Sequence, residues 1–237
     1  MRLLVSVRDM AEAREVAAAG VDFIDLKEPR GGALGAVALP LVCEIVLALR
    51  TPADSAARAS RSSVSATIGD RPDDAHDEMA WTLPRVQAMA ACGVDLVKVG
   101  ITPGPQAACL LEALATCGAA VVPVFIADGG IDARLYDHAC GLGFPALMLD
   151  TADKQRGSLF DVMEPAALRR CIAAARHAGV DVGVAGALQM AHWPALRALA
   201  PSYAGFRTAV CDSDRTGALV PARLQALIAA ARVTTPA

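Results

Sequence analysis

Val21-Asp22-Phe23-Ile24-Asp25-Leu26-Lys27-Glu28-Pro29-Arg30-Gly31-Gly32 reads as a short buried strand that ends in a lysine and runs straight into a glycine-rich loop. Val21, Phe23, Ile24 and Leu26 are strand formers, bounded by Gly20 and Pro29. Asp25 and Lys27 interrupt the apolar run two residues apart, so on a strand they share a side. Two charges on one face of a buried strand are costly unless they pair or do chemistry.

Outward from this stretch the same unit repeats. Apolar strands are predicted over Leu3–Val7, residues 21–27, Ser63–Ile68, Val94–Gly100, Ala119–Ile126, Ala146–Asp150, Val180–Ala185 and Tyr203–Arg207. Between them the pattern predicts helices over Met10–Ala19 (capped by Asp9), Pro40 to about Arg50, Asp74–Ala91, Gln106–Thr116, Asp132–Cys140, Pro165–Ala178, Met190–Leu199 and Pro221–Arg232. The polar segment Thr51–Arg61 is expected to loop outward. Strict alternation calls for a parallel sheet. Eight units in 237 residues call for one α/β domain over 1–237, a single (β/α)8 TIM barrel, for which about 250 residues is typical. An open doubly wound sheet is the alternative; it lacks an obvious edge strand here, and the first turn has no GxGxxG.

Composition narrows the function. A net charge of −3 predicts neither a broad nucleic-acid surface nor an anionic-membrane surface. No apolar run reaches the roughly 20 residues of a membrane span. The first strand meets Arg2 and Arg8 too soon for a signal peptide, so a cytoplasmic protein is expected. The seven cysteines form no CxxC pair, and no histidine has zinc spacing, so neither a disulfide nor a metal site is expected. Cys43, Cys92, Cys109, Cys117, Cys140 and Cys171 read as small buried hydrophobes, and Cys211 is assigned no role. His76, His138, His177 and His192 fall on predicted helices, in surface or packing roles. The alanine-rich, weakly charged outer helices suit a homo-oligomer of no specific order.

The lysines are the sharpest signal. Of 22 basic residues 19 are arginine, and only Lys27, Lys98 and Lys154 are lysine. Arginine cannot lose its proton in a protein, whereas lysine can. Arginine bias with three incidental lysines is the alternative. Placement argues against it: Lys27 ends the second predicted strand, Lys98 lies at the end of the fourth, and Lys154 follows Asp150 at the end of the sixth. In a barrel those strand ends form the catalytic face. Lys27 and Lys98 are expected to point inward at one level, with Asp25 and Asp95 one layer below. To attack a carbonyl at neutral pH a lysine must shed a proton, which costs about 5 kcal/mol against its usual pKa of about 10.4. Burial and a second cation can supply this. Lys98 would be that cation for Lys27, or the reverse, and Asp25 would orient an amine or shuttle protons. A structural Asp–Lys ion pair is the bland reading.

Phosphate is a separate expectation. Gly183-Val184-Ala185-Gly186-Ala187-Leu188 and Gly205-Phe206-Arg207-Thr208 end the seventh and eighth strands, where barrels bind phosphate with backbone amides. Gly186, Ala187 and Gly205 are candidates, and Arg207 is expected to add a charged donor. The loop Arg30–Gly35 is a possible second anion site.

Several motifs together resemble one family. They are Leu4-Val5-Ser6-Val7-Arg8-Asp9, Asp25-Leu26-Lys27-Glu28-Pro29 with Gly32 to Gly35, Val97-Lys98-Val99-Gly100, Leu149-Asp150-Thr151-Ala152-Asp153-Lys154 with Gly157-Ser158-Leu159-Phe160-Asp161, and Gly205-Phe206-Arg207-Thr208-Ala209-Val210-Cys211. This set is similar to (5-formylfuran-3-yl)methyl phosphate synthase of methanofuran biosynthesis, which has relatives in methylotrophic bacteria. The resemblance runs from the first strand to the eighth. It departs after the fifth strand, where archaeal members carry a basic residue and this chain has Ala127-Asp128-Gly129-Gly130. It implies condensation of two glyceraldehyde 3-phosphates with loss of one phosphate and two waters. It also implies a Schiff base on Lys27, with Lys98 as proton acceptor and no metal or organic cofactor. Asp25, Asp150 and Lys154 are then expected to assist proton transfers, and Ser6 joins the substrate-binding candidates. A class I aldolase acting on sugar phosphates would use the same lysines, and a non-catalytic phosphate-metabolite barrel is the non-enzymatic alternative.

Overall fold

The computed structural model describes residues 1–51, 62–153 and 156–232. Their strands are β1 Arg2–Val7, β2 Phe23–Leu26, β3 Ser63–Thr67, β4 Leu96–Ile101, β5 Val121–Ile126, β6 Ala146–Asp150, β7 Asp181–Val184 and β8 Tyr203–Phe206. All neighbours pair in parallel, and β8 returns to β1, closing the barrel in chain order. Around it run α1 Met10–Ala19, α2 Leu39–Arg50, α3 Glu78–Ala91, α4 Ala107–Thr116, α5 Ala133–Cys140, α6 Leu159–Val162, α7 Pro165–His177, α8 Trp193–Leu199 and α9 Pro221–Arg232. Among the described residues no helix is long and apolar enough to cross a membrane.

Burial on both faces explains the near-continuous apolar strands. One side-chain set points outward and packs under the helices: Val5 and Val7, Ile24 and Leu26, Val97 and Val99, Leu147 and Leu149. Burying each such side chain contributes about 1.5–3 kcal/mol. The alternate set points inward and changes character along the axis. Leu4, Phe23, Val122, Met148 and Tyr203 fill the interior as a separate apolar cluster. One step toward the C-terminal end, at the same parity, come Ser6, Asp25, Lys98 and Asp150, all buried. Period-two alternation therefore carries the charged residues inside.

The helix ends follow cap chemistry, and two starts depart from expectation: α8 begins at Trp193 because Met190–His192, His192 included, forms a 3-10 turn. Asp9 accepts from the Glu12 amide at 2.9 Å to open α1, and Gly20 closes it in the left-handed region. The third helix begins at Glu78, not Asp74, because Asp77 supplies the cap, accepting from the Ala80 amide at 3.0 Å. Residues 74–77, His76 among them, therefore precede the helix. A short extra helix, α6, follows β6, opened by a capping box between Ser158 and Asp161.

Three further expectations change. Lys98 sits third in β4 rather than at its end. Asp95 lies ahead of β4 and outside the barrel interior, exposed, where it pairs with Arg50 and accepts from the Val64 amide at 2.7 Å. Cys43 on α2 and Cys92 at the end of α3 form a disulfide, with Cα atoms 4.5 Å apart. The two cysteines are 49 residues apart in sequence, and only the side-by-side packing of these helices brings them together. Cys140, Cys171 and Cys211 are buried, but Cys109 is exposed. The outward loop expected at Thr51–Arg61 lies, beyond Thr51, outside the described residues.

Candidate active site

The polar end of the barrel interior opens into a cavity. Ser6, Asp25, Lys27, Lys98 and Asp150 line one side of it, and Gly186, Ala187, Gly205 and Arg207 line the other. Lys27 directly follows β2, and its amide donates to the Val7 carbonyl at 2.9 Å, extending the ladder by one residue. That bond fixes where the side chain leaves the sheet.

Two lysine–aspartate pairs line the cavity. Lys98 Nζ donates to Asp25 Oδ2 at 3.0 Å, with 2% and 0% of the two side chains exposed. Asp25 also accepts from Ser6 Oγ at 3.0 Å and from Ser65 Oγ at 2.7 Å. A buried carboxylate with three donors is well satisfied. Beneath it on β8, burial and, secondarily, the Asp25 charge push the Tyr203 phenol well up, so it stays neutral. Lys27 Nζ donates to Asp150 Oδ2 at 3.2 Å, with 12% and 4% exposed. Asp150 Oδ1 accepts from the Thr151 amide at 2.7 Å, which holds the carboxylate in place. The second cation expected beside Lys27 is thus already paired with its own carboxylate. Strand tilt in a closed barrel lowers Lys98 to the Asp25 layer instead of the Lys27 layer.

Across the cavity the turn after β7 is under conformational strain. Gly186 has φ +104, and Ala187 has φ +46, unusual for a residue with a side chain. A Cβ on Gly186 would fall 2.7 Å from Thr151 Oγ1, so this turn admits only glycine. The Gly186 carbonyl accepts from the Leu159 amide at 3.0 Å, tying the β7 turn to α6. Neither the Gly186 nor the Ala187 amide donates to a described residue. Free amides in a strained turn beside a cavity are what anion binding uses.

Arg207 departs from its expected role. Its Nε donates to the Arg215 carbonyl at 2.9 Å. Nη1 donates to the Ser6 carbonyl at 3.1 Å and to Glu12 Oε2 at 2.5 Å. Nη2 donates to Glu12 Oε1 at 3.1 Å and to the Gly217 carbonyl at 2.8 Å. A guanidinium has five N–H donors, and here protein acceptors use all five. Ser6 likewise gives its hydroxyl proton to Asp25 and braces a carboxylate rather than a phosphate. The anion site considered at Arg30–Gly35 also gives way. The Leu34 amide donates to both Asp70 carboxylate oxygens at 3.1 Å, so a negative charge already fills the loop. Leu34 itself is buried over the barrel mouth against Gly100, where a Cβ would fall 2.7 Å from Leu34 Cδ1.

The comparisons with known proteins meet this geometry. The family model for 4-HFC-P synthase matches residues 3–228. The chain belongs to the 4-HFC-P synthase family. It is 30% identical to (5-formylfuran-3-yl)methyl phosphate synthase of Methanocaldococcus jannaschii, covering 94% of this chain and 96% of that one. It is also 30% identical to the synthase of Archaeoglobus fulgidus, covering 91% and 93%. A Methylorubrum extorquens protein given the same name provisionally is 35% identical, covering 98% and 92%. Phosphoribosyl anthranilate isomerase from Thermus thermophilus superposes with a TM-score of 0.65 at 16% identity, covering 98% of each chain. 3-Hexulose-6-phosphate synthase gives 0.60 at 20%, covering 95% and 99%. These two share the barrel, and at such identities that is all the likeness shows.

Nine of the residues expected from the sequence line one cavity in this family member: Ser6, Asp25, Lys27, Lys98, Asp150, Gly186, Ala187, Gly205 and Arg207. Lys154 lies outside the described residues. After β5, Asp128 accepts from the Ala152 and Asp153 amides at 2.6 and 2.9 Å. Arg156 Nη1 donates to the Asp128 carbonyl at 2.7 Å. Ser65, Thr151, Glu12 and Arg215 are not foreseen. Glu12 stands three residues after the Asp9 cap, where it reads as an ordinary cap partner. Arg215 sits beside Asp212 and Asp214 and reads as solvated surface.

Proposed function

We propose that this chain condenses two molecules of glyceraldehyde 3-phosphate into (5-formylfuran-3-yl)methyl phosphate, releasing one phosphate and two waters, in the biosynthesis of a methanofuran-type cofactor. The observation that carries the reading is Lys27 Nζ held 3.2 Å from Asp150 Oδ2 at the cavity wall, in a chain of this family. Lys27 attacks the aldehyde carbon, and its surplus proton passes to Asp150. Water leaves and an iminium forms. The iminium withdraws electrons from the adjacent carbon, whose proton then departs to a base. The resulting enamine either expels phosphate from the next carbon or bonds to the second aldehyde. Lys98 and Asp25, joined at 3.0 Å, are the proposed relay for these protons, and Lys154 assists from the loop after β6. None of these steps calls for a metal or organic cofactor.

The test is borohydride reduction in the presence of glyceraldehyde 3-phosphate, followed by peptide mass analysis and a free-phosphate assay. An adduct on the Lys27 peptide, phosphate release and an ultraviolet-absorbing furan aldehyde support the reading. An adduct without phosphate release indicates an aldolase. No adduct on any lysine removes the imine mechanism.

A further inference from the structure

The β8–α9 connection holds a cation that the mechanism above does not use. Arg215 lines the same cavity as Lys27 and Gly186. Its guanidinium makes no hydrogen bond or ion pair with any described residue. Among the described residues the other cavity-lining cations are paired: Lys27 with Asp150, Lys98 with Asp25, and Arg207 with Glu12. Its neighbour Asp214 accepts from the Thr216 amide at 2.7 Å and the Thr216 hydroxyl at 2.6 Å, and feels the Arg215 charge without forming an ion pair with it.

The loop bearing Arg215 is held from below. Arg207 donates to the carbonyls of Arg215 and Gly217, Arg8 donates to the Thr216 carbonyl, and the Leu219 amide reaches Glu12 Oε1 at 3.3 Å. Glu12 thus orients two guanidinium groups, which in turn hold three consecutive backbone carbonyls, those of Arg215, Thr216 and Gly217. We infer that Arg215 is the charged phosphate-binding residue of this site, closing on an ester whose oxygens take the Gly186 and Ala187 amides. Arg207 and Glu12 are positioning residues that act through it. Amide dipoles alone leave a dianion under-compensated; a planar guanidinium adds charge and paired donors. The inference rests on the proposed function only for the kind of ligand, a small phosphate monoester.

The experiment uses glycerol 3-phosphate, which has no carbonyl and forms no imine, titrated into the full chain by calorimetry. Arg215→Ala should weaken binding about 10- to 100-fold, the worth of one charge-assisted contact. Arg215→Lys should recover part of it. Glu12→Gln should weaken binding less, and combined with Arg215→Ala should add nothing further. Binding within twofold of the parent in Arg215→Ala overturns the assignment, and so does no binding by the parent. Additive losses in the double variant overturn the positioning role. Lys27 trapping is scored separately: an adduct with Arg215→Ala binding unchanged leaves the imine reading standing and removes this one, and the converse result does the reverse.

Discussion

Lys98–Asp25 and Lys27–Asp150 are the same pair of residue types on the same inner surface, and they differ in their access to water. The first is sealed, with 2% and 0% of the side chains exposed and two serine hydroxyls completing the carboxylate. The second stands at the cavity wall, with 12% of Lys27 exposed. A nucleophile has to be reachable by a carbonyl carbon, and of these two lysines Lys27 is the more exposed. A pair that relays protons or holds the barrel together is better kept from bulk water. Height along the barrel axis, set by where each strand crosses the cavity, separates the two pairs.

The largest effect that sharpens this contrast is Lys27→Arg. It keeps the charge beside Asp150 but provides no amine for an imine. Turnover should fall on the order of 10⁴-fold or more, with no trapped adduct, while the melting temperature stays close to the parent. Retained turnover would place the nucleophile elsewhere. Next comes Lys98→Met, which leaves the Asp25 charge buried with only its two serines. We expect about 3–5 kcal/mol of destabilisation in chemical unfolding, against a much smaller cost for Lys27→Met. Equal costs would mean that burial does not distinguish the pairs. The double variant Asp25→Leu, Lys98→Met should regain part of the loss, because both charges go together.

How far this was legible in the sequence follows from what each signal depends on. The barrel was legible because strand and helix periodicity are local, and Lys27, Asp150 and Gly186 were legible because strand ends map to one face. Lys98 was placed a layer too high because strand tilt is a property of the closed barrel and of no single strand. Arg207 was misassigned because its five acceptors come from residues 6, 12, 215 and 217, which only the fold assembles. The Cys43–Cys92 bond was missed for the same reason. Gly186 tests the local kind of signal. Gly186→Ala forces a side chain into φ +104 and against Thr151, so it should cost about 1–3 kcal/mol and raise KM for the phosphate substrate. Ala187→Gly relieves φ +46 and should be neutral or stabilising in the same unfolding assay. If both variants behave alike, the strain at this turn is not conformational.

The smallest expected effect closes the series at the other end of the barrel. Arg2 on β1 and Asp181 on β7 also form an ion pair between strands, with 43% and 45% of the side chains exposed. Water competes for both charges there, so attraction and desolvation nearly cancel. Asp181→Asn is the cleaner probe, because Arg2 also stacks on Phe23 with its guanidinium 5.0 Å from the ring centroid. We expect a loss of about 0.2–1 kcal/mol, shrinking in high salt. A loss as large as that of Lys98→Met would show that position between strands, and not exclusion of water, sets the worth of these pairs. The distinction drawn between the sealed pair and the reachable one would then need another cause.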